Sequence, residues 1–241
     1  MIEPSRSFDR AAREYELARP GYPEDALDLL PLEANATVLD LGAGTGKLTR
    51  VLTGRYARVI AVEPLDGMRA ILERVVPAAE SHAGTAEEIP LPDASVDAVF
   101  AGQAFHWFAN DDAVAEIARV LRPGGVLALV WNEPVGPSPL PAAYVARFDE
   151  LHAPALSAVQ SAPAWSEVIG GGPFGELEEA IVEHEQVQDR EKVLAFVKSM
   201  SWIAHRPREE RERIVSELDA LLPAGPFVFP LQAHVNGARR A

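Results

Sequence analysis

The sequence contains no cysteine, which excludes disulfide bridges, thiolate zinc sites and cysteine nucleophiles. Long apolar runs are missing as well. None approaches the ~18 residues of a membrane span, and Met1 to Asp28 alternates charge with small residues where a signal peptide has its apolar core. Positive charge is scarce: 22 Lys and Arg stand against 36 Asp and Glu, a net charge of −14 at pH 7. That balance lacks the basic footprint of a nucleic-acid surface, disfavours anionic membranes and is explained by solubility. The six histidines show no paired ligand spacing, so no metal is expected. No internal repeat is visible. These absences predict a soluble cytoplasmic protein, a monomer or homodimer, whose partner is a small molecule, with no nucleic acid and no membrane.

What is present is a sizeable core. With 241 residues and 48% hydrophobic content, the chain is long enough for one large α/β domain. Short apolar runs alternate with helical patterns. Strands are predicted at Thr37–Asp40, Arg58–Glu63, Glu80–Ala83, Val96–Gly102 and Val126–Trp131, and helices follow Gly46, Pro64 and Asn110. The run Val59-Ile60-Ala61-Val62 has no polar alternation, as expected of a strand covered on both faces. Strand and helix in regular succession predict a doubly wound sheet. Helical segments are expected at 7–30, with Ser7 as N-cap and a break at Arg19-Pro20-Gly21-Tyr22-Pro23, and a second helix over Glu24–Leu30. Residues 134–175 are proline-rich and read as an insertion of short helical pieces. Beyond them come a strand near Leu177–Val187, helices near Arg190–Ile203 and Arg208–Leu221, and a last strand near Phe227–Ala238. The division expected is a core of 32–133 and 176–241, an N-terminal cap of 1–31 and a lid-like insertion of 134–175.

The stretch Val38-Leu39-Asp40-Leu41-Gly42-Ala43-Gly44-Thr45-Gly46 carries the chemistry. Glycines directly after a strand permit a tight turn and let a ligand approach the main chain without meeting a Cβ. The helix that follows offers free N–H groups to something polar. The spacing G-x-G-x-G differs from the dinucleotide fingerprint G-x-G-x-x-G, which needs glycine where Lys47 stands. Asp40 would repel a pyrophosphate and would pair with an ammonium group. Glu63, at the tip of strand two, suits a ribose diol. An adenosine that ends in an amine rather than phosphates fits, and S-adenosylmethionine (SAM) is such a molecule.

VLDLGAGTG, VIAVEP, GTAEEIPLPDASVDAVFAGQAFHWF and RVLRPGGVLALVWN, in this order, resemble the motifs of class I SAM-dependent methyltransferases. The small-molecule branch, methyltransferase type 11 domains similar to trans-aconitate methyltransferase, is the one the chain looks like. The resemblance implies a Rossmann-like seven-stranded sheet in the order 3-2-1-4-5-7-6 with the last strand antiparallel. It also implies that Asp40 and the backbone of Gly42, Ala43, Gly44 and Gly46 hold the methionine part. Glu63 would hold the ribose, Ala86 and Glu87 would edge the adenine, and Gln103 would lie beneath the methionine moiety. Tyr15 and Arg19 resemble residues that close over the cofactor, Arg19 by pairing with its carboxylate; a helix-terminal surface arginine is the alternative.

Other residues admit two readings from sequence. His106, just past strand four, is either a general base or a histidine that shapes the pocket. Trp107, Phe108 and Trp131 either wall an acceptor pocket or pack beneath the insertion. Asn110, Asp111 and Asp112 would serve as helix caps or, in the rarer case, as a Mg²⁺ site. The function expected is methyl transfer to an oxygen, nitrogen or carbon of a small acceptor, with a carboxylate or hydroxyl favoured. The alternatives are a SAM-binding protein without catalysis and an NAD-dependent oxidoreductase.

Overall fold

The computed structural model describes residues 12–30, 32–156 and 165–241. Its strands are β1 Thr37–Leu41, β2 Arg58–Val62, β3 Glu80–His82, β4 Val96–Gly102, β5 Leu121–Pro134, β6 Glu178–Gln188 and β7 Phe227–Arg239. They form one seven-stranded sheet in the order β3-β2-β1-β4-β5-β7-β6. β1 to β5 run parallel, and the last strand is antiparallel. The helices are α1 Ala12–Ala18, α2 Lys47–Arg55, α3 Asp66–Val75, α4 Asp111–Val120, α5 Ala142–Leu156, α6 Trp165–Gly170, α7 Arg190–Ser199, α8 Ser201–Ala204 and α9 Arg208–Asp219. The predicted N-cap Ser7 lies outside the described residues.

The unbroken apolar strands follow from burial on both faces. Successive residues of each strand enter two separate clusters. Leu39, Leu41, Ile60, Val62, Val99, Ala101, Leu127 and Leu129 join Val114 and Ile117 of α4 on one face. Val38, Val59, Ala98, Phe100, Val126, Ala128 and Val130 meet Leu48 and Leu52 of α2 on the other. With both faces apolar, a one-residue slip gains nothing, so the parallel ladder and the helices must fix the register.

The described residues form two compact units. One combines those of Gly21–Glu133, Pro163–His184 and Gln232–Ala241; the other those of Met1–Pro20, Pro134–Ala162 and Glu185–Leu231. The second has its own core, in which Tyr144, Val193, Val197, Ile203, Ile214 and Leu218 are buried together.

Four local expectations are corrected. Glu24–Leu29 is a 3-10 helix rather than an α-helix. The segment Arg122-Pro123-Gly124-Gly125, just ahead of the strand expected at Val126–Trp131, lies inside β5, which begins at Leu121. It is absorbed by an irregularity between the pairs Val96↔Leu121 and Ala98↔Val126. The proline-rich stretch contains a helix of 15 residues, α5. Pro141 sits where a fixed φ suits a helix start, and its carbonyl accepts from the Val145 N–H at 3.0 Å. The helix predicted over Arg190–Ile203 is interrupted at Met200, which is extended. There the Ser199 hydroxyl donates to the Phe196 carbonyl at 2.8 Å, a side-chain bond that competes with helix continuation.

Leu39 is fully buried, so Leu39→Ala should cost ~2–5 kcal/mol by lost transfer energy and cavity formation. Urea denaturation measures it, and a loss below ~1 kcal/mol would contradict this account of the core.

Candidate functional site

β1 leads into the glycine turn, where Gly42, Gly44 and Gly46 have φ of +69°, +57° and +87°. The Gly42 and Ala43 N–H groups donate to the Val62 carbonyl at 2.9 and 3.2 Å, tying the turn to the end of β2. The three glycines are needed for different reasons. A Cβ at Gly42 would stand 2.9 Å from the Ala104 methyl, and one at Gly46 would stand 3.0 Å from Val76 Cγ2. A Cβ at Gly44 would meet nothing within 4 Å. The outer two admit neighbouring protein; the middle one leaves a space through which a ligand can reach the backbone.

Two carboxylates flank this turn. Asp40 is 1% exposed. Its Oδ2 accepts from the Thr49 hydroxyl at 2.6 Å, whereas Oδ1 is buried with no partner. Burial pushes its carboxyl up to about 7, against the Thr49 hydrogen bond and with help from the Glu63 charge. Glu63, also buried, follows β2. Its Oε2 accepts from the Gly44 N–H at 2.9 Å and its Oε1 from the Leu65 N–H at 2.9 Å. The residue expected to grip a ligand therefore also clips the glycine turn to the tip of β2. Arg69 Nη1 donates to the Glu63 carbonyl at 2.9 Å, fixing the backbone there.

Past β4, Gln103 is held at φ +52°, a left-handed conformation rare for a residue with a Cβ and concentrated at functional sites. Its N–H donates to the Val130 carbonyl at 2.9 Å and its Nε2 to the Asn132 carbonyl at 2.8 Å. The short 3-10 helix Phe105–Trp107 then presents His106. His106 is open to solvent on one side, yet its ring lies 4.9 Å from that of Trp107 and 5.4 Å from that of Trp131. Partial desolvation among these rings holds its pKa below the usual histidine value, so the ring is neutral at pH 7 and able to accept a proton. Phe108 turns back to the core: it packs edge-on to Phe105 at 5.4 Å, and its Cε1 lies 3.2 Å from where Gly42 would carry a Cβ.

The remaining predicted residues are placed as follows. Ala86 is buried in the cluster with Leu41 and Val62. Glu87 is exposed. Burial raises its pKa, but hydrogen bonds from Asn110, its own backbone and Thr85 outweigh this and hold it low. Asn110 Nδ2 donates to Glu87 Oε1 at 2.9 Å, and Asn110 Oδ1 caps α4 by accepting from the Ala113 N–H at 2.9 Å. Among the described residues, no group of three or more His, Asp or Glu side chains is placed to hold a metal ion. Tyr15 and Arg19 belong to the other unit. There Arg19 Nε donates to Ser199 Oγ at 3.2 Å, and its guanidinium lies 4.5 Å over the Phe196 ring.

Sequence reasoning missed Thr49, the partner of Asp40. The available signal was a polar residue between Leu48 and Leu52 on the buried side of α2. It also missed Thr45, whose buried Oγ1 has no partner, and Asn132, which donates from Nδ2 to the Gly21 carbonyl at 2.9 Å and meets His184 at 2.8 Å. No local pattern announces that last residue.

A methyltransferase-domain family model matches residues 39–129, from β1 through β5. An uncharacterized methyltransferase of Schizosaccharomyces pombe is 34% identical over 226 residues, covering 92% of this chain and 89% of its own. The chain belongs to the methyltransferase family. An uncharacterized methyltransferase of Mycobacterium tuberculosis is 53% identical over 128 residues, 53% of each chain; the match spans about half of that relative's length. A solved structure from Anaeromyxobacter dehalogenans, assigned to the type II methyltransferases, superposes with a TM-score of 0.63 at 29% identity. That match covers 92% of this methyltransferase and 97% of the other chain. No described helix is long and apolar enough to cross a membrane.

The raised carboxyl of Asp40 has a consequence for stability. Its folded value of about 7 lies above the ordinary 3.8. Its contribution is thus fully present below about 3.8 and is lost as pH rises through about 7. Asp40→Asn should therefore gain on the wild type between these limits and keep a constant advantage above them. Thermal melts at pH 4 and pH 8 measure the difference; an equal offset at both would contradict a buried, proton-binding Asp40.

Proposed function

We propose that this methyltransferase uses SAM and methylates a small-molecule acceptor, with an oxygen nucleophile, hydroxyl or carboxylate, favoured over nitrogen or carbon. The observation that carries this reading is the unpartnered, buried Oδ1 of Asp40 beside a glycine turn that is open at Gly44. A buried acceptor without a donor calls for one, and an ammonium group supplies both the donor and the compensating charge. A pyrophosphate offers the open Oδ1 no donor and no positive charge, and Lys47 stands where the dinucleotide turn needs glycine. The site fits an amino-acid nucleoside.

In this reading Asp40 holds the ammonium of the methionine part, the N–H groups of the turn line it, and Glu63 accepts the ribose hydroxyls. When bound, SAM supplies a methyl carbon on a positively charged sulfur, which leaves as a neutral thioether on displacement by the acceptor. The protein's work is alignment of the two and exclusion of water. Neutral His106 takes the proton of a hydroxyl acceptor as the new bond forms.

Calorimetry with S-adenosylhomocysteine and with NADH tests the ligand. S-Adenosylhomocysteine should bind and NADH should not, and the 2′-deoxyribose analogue should bind ~10-fold or more weakly, since hydrogen bonds to a charged acceptor are worth ~1.5–3 kcal/mol. Comparable NADH binding would overturn the assignment. Against a panel of hydroxyl acceptors, His106→Ala should lower kcat by ~10²-fold or more; an unchanged kcat would reduce His106 to pocket lining.

A further inference from the structure

Four rings stand in sequence past the end of the β4–β5 ladder, which closes at the pair Gly102↔Val130. Centroid separations are 4.9 Å from Trp107 to His106, 5.4 Å from His106 to Trp131 and 6.1 Å from Trp131 to Trp165. The planes open by only 41°, 36° and 33° between neighbours. The rings lean on one another in a tilted row, with Trp107, at one end, 47% exposed. Trp131 also packs with Trp165 against the apolar cluster of Leu129, Phe105 and Ile169.

Within this apolar setting the indole Nε1 of Trp131 is buried and has no hydrogen-bond partner. Tryptophan N–H groups usually find an acceptor when buried, and an exception in a native structure needs an explanation. The neighbouring rings do not provide one. An N–H directed at a ring face requires the two planes to be nearly perpendicular, and Trp131 makes 36° with His106 and 33° with Trp165. The position is informative too. Gly102 pairs with Val130 in the β4–β5 ladder, so Trp131 and Gln103 stand side by side one residue past it, at the carboxyl edge where open α/β sheets bind ligands. Gln103 is the left-handed residue tied to Asn132.

We infer that the Trp131 N–H holds the carbonyl oxygen of the acceptor, and that the acceptor is a planar, uncharged hydroxy-carbonyl compound stacked among His106, Trp107 and Trp165. This deepens the methyl-transfer reading above and rests on it. A carboxylate is disfavoured because one neutral donor in apolar surroundings does not offset the loss of its hydration. The carbonyl takes the indole N–H, and the neighbouring hydroxyl faces His106.

The test uses the full chain saturated with S-adenosylhomocysteine and three probes: 2-hydroxyacetophenone, phenol and benzoate. Calorimetry should give 2-hydroxyacetophenone an affinity ~10-fold above that of phenol, the size expected of one hydrogen bond that would otherwise leave a buried donor unmet. Benzoate should bind more weakly than either. Trp131→Phe should erase the difference between the first two probes and leave the affinity for S-adenosylhomocysteine unchanged. Wild-type protein provides a readout independent of that variant: of the four tryptophan indole N–H resonances, that of Trp131 should move downfield with 2-hydroxyacetophenone and stay in place with phenol. Equal affinities for the two, preferential binding of benzoate, no binding of any probe, or a stationary Trp131 resonance would each overturn the inference. Failure of S-adenosylhomocysteine itself to bind would instead overturn the cofactor reading on which it rests.

Discussion

The site depends on a buried carboxylate with one oxygen satisfied and the other left open. Asp40 lies one residue from the end of β1, with Oδ2 bonded to Thr49 and Oδ1 unpartnered. Burying an unpaired charge is costly, and the group responds by holding its proton; its carboxyl is raised to about 7. A ligand that brings a positive donor to Oδ1 removes that cost and lets the carboxylate ionise. The fold thus holds, at the end of one strand, a buried carboxyl with one oxygen unsatisfied, the feature on which the proposed grip on a cationic amine rests.

Parallel pairing delivers the other parts to the same edge. Leu41 pairs with Val62, which brings the tip of β2 beside the glycine turn and lets Glu63 close onto the Gly44 N–H. β1 also pairs with β4 and β4 with β5, so Gln103, His106 and Trp131 emerge near the same carboxyl edge. The separation of roles follows from the two sheet faces. Asp40 shares the strand parity of Val38, whose cluster includes residues of α2, and Thr49 meets it from that helix. Trp131 and Phe108 pack against the opposite cluster.

Much of this was legible in the sequence because local rules and global fold agree. The apolar runs of β1, β2 and β4, the glycine spacing and the cap Asn110 each express a requirement carried by a few neighbouring residues. The strand order was implied by family resemblance rather than by periodicity. What stayed hidden depends on distant partners. Nothing local says that Thr49 will satisfy Asp40, that Glu63 will accept from the Gly44 N–H of the turn, or that Asn132 will anchor Gln103. The strand expected to begin at Val126 begins at Leu121 for a related reason, taking in Arg122-Pro123-Gly124-Gly125. A Pro-Gly segment signals a turn by its own chemistry, but here the ladder with β4 resumes on both sides of it. The grouping of residues 185–231 with 12–20 and 134–156 likewise reflects packing among segments far apart in sequence.

If Asp40 holds its proton until a cationic amine reaches Oδ1, ligand binding must expel that proton, and proton counting measures it. S-Adenosylhomocysteine binding is followed by calorimetry at pH 6.5 in two buffers of different ionisation enthalpy. With a carboxyl near 7 in the free protein, binding should release a substantial fraction of one proton per ligand, a release lost in Asp40→Asn. Binding without proton release, or with the same release in the variant, would contradict it.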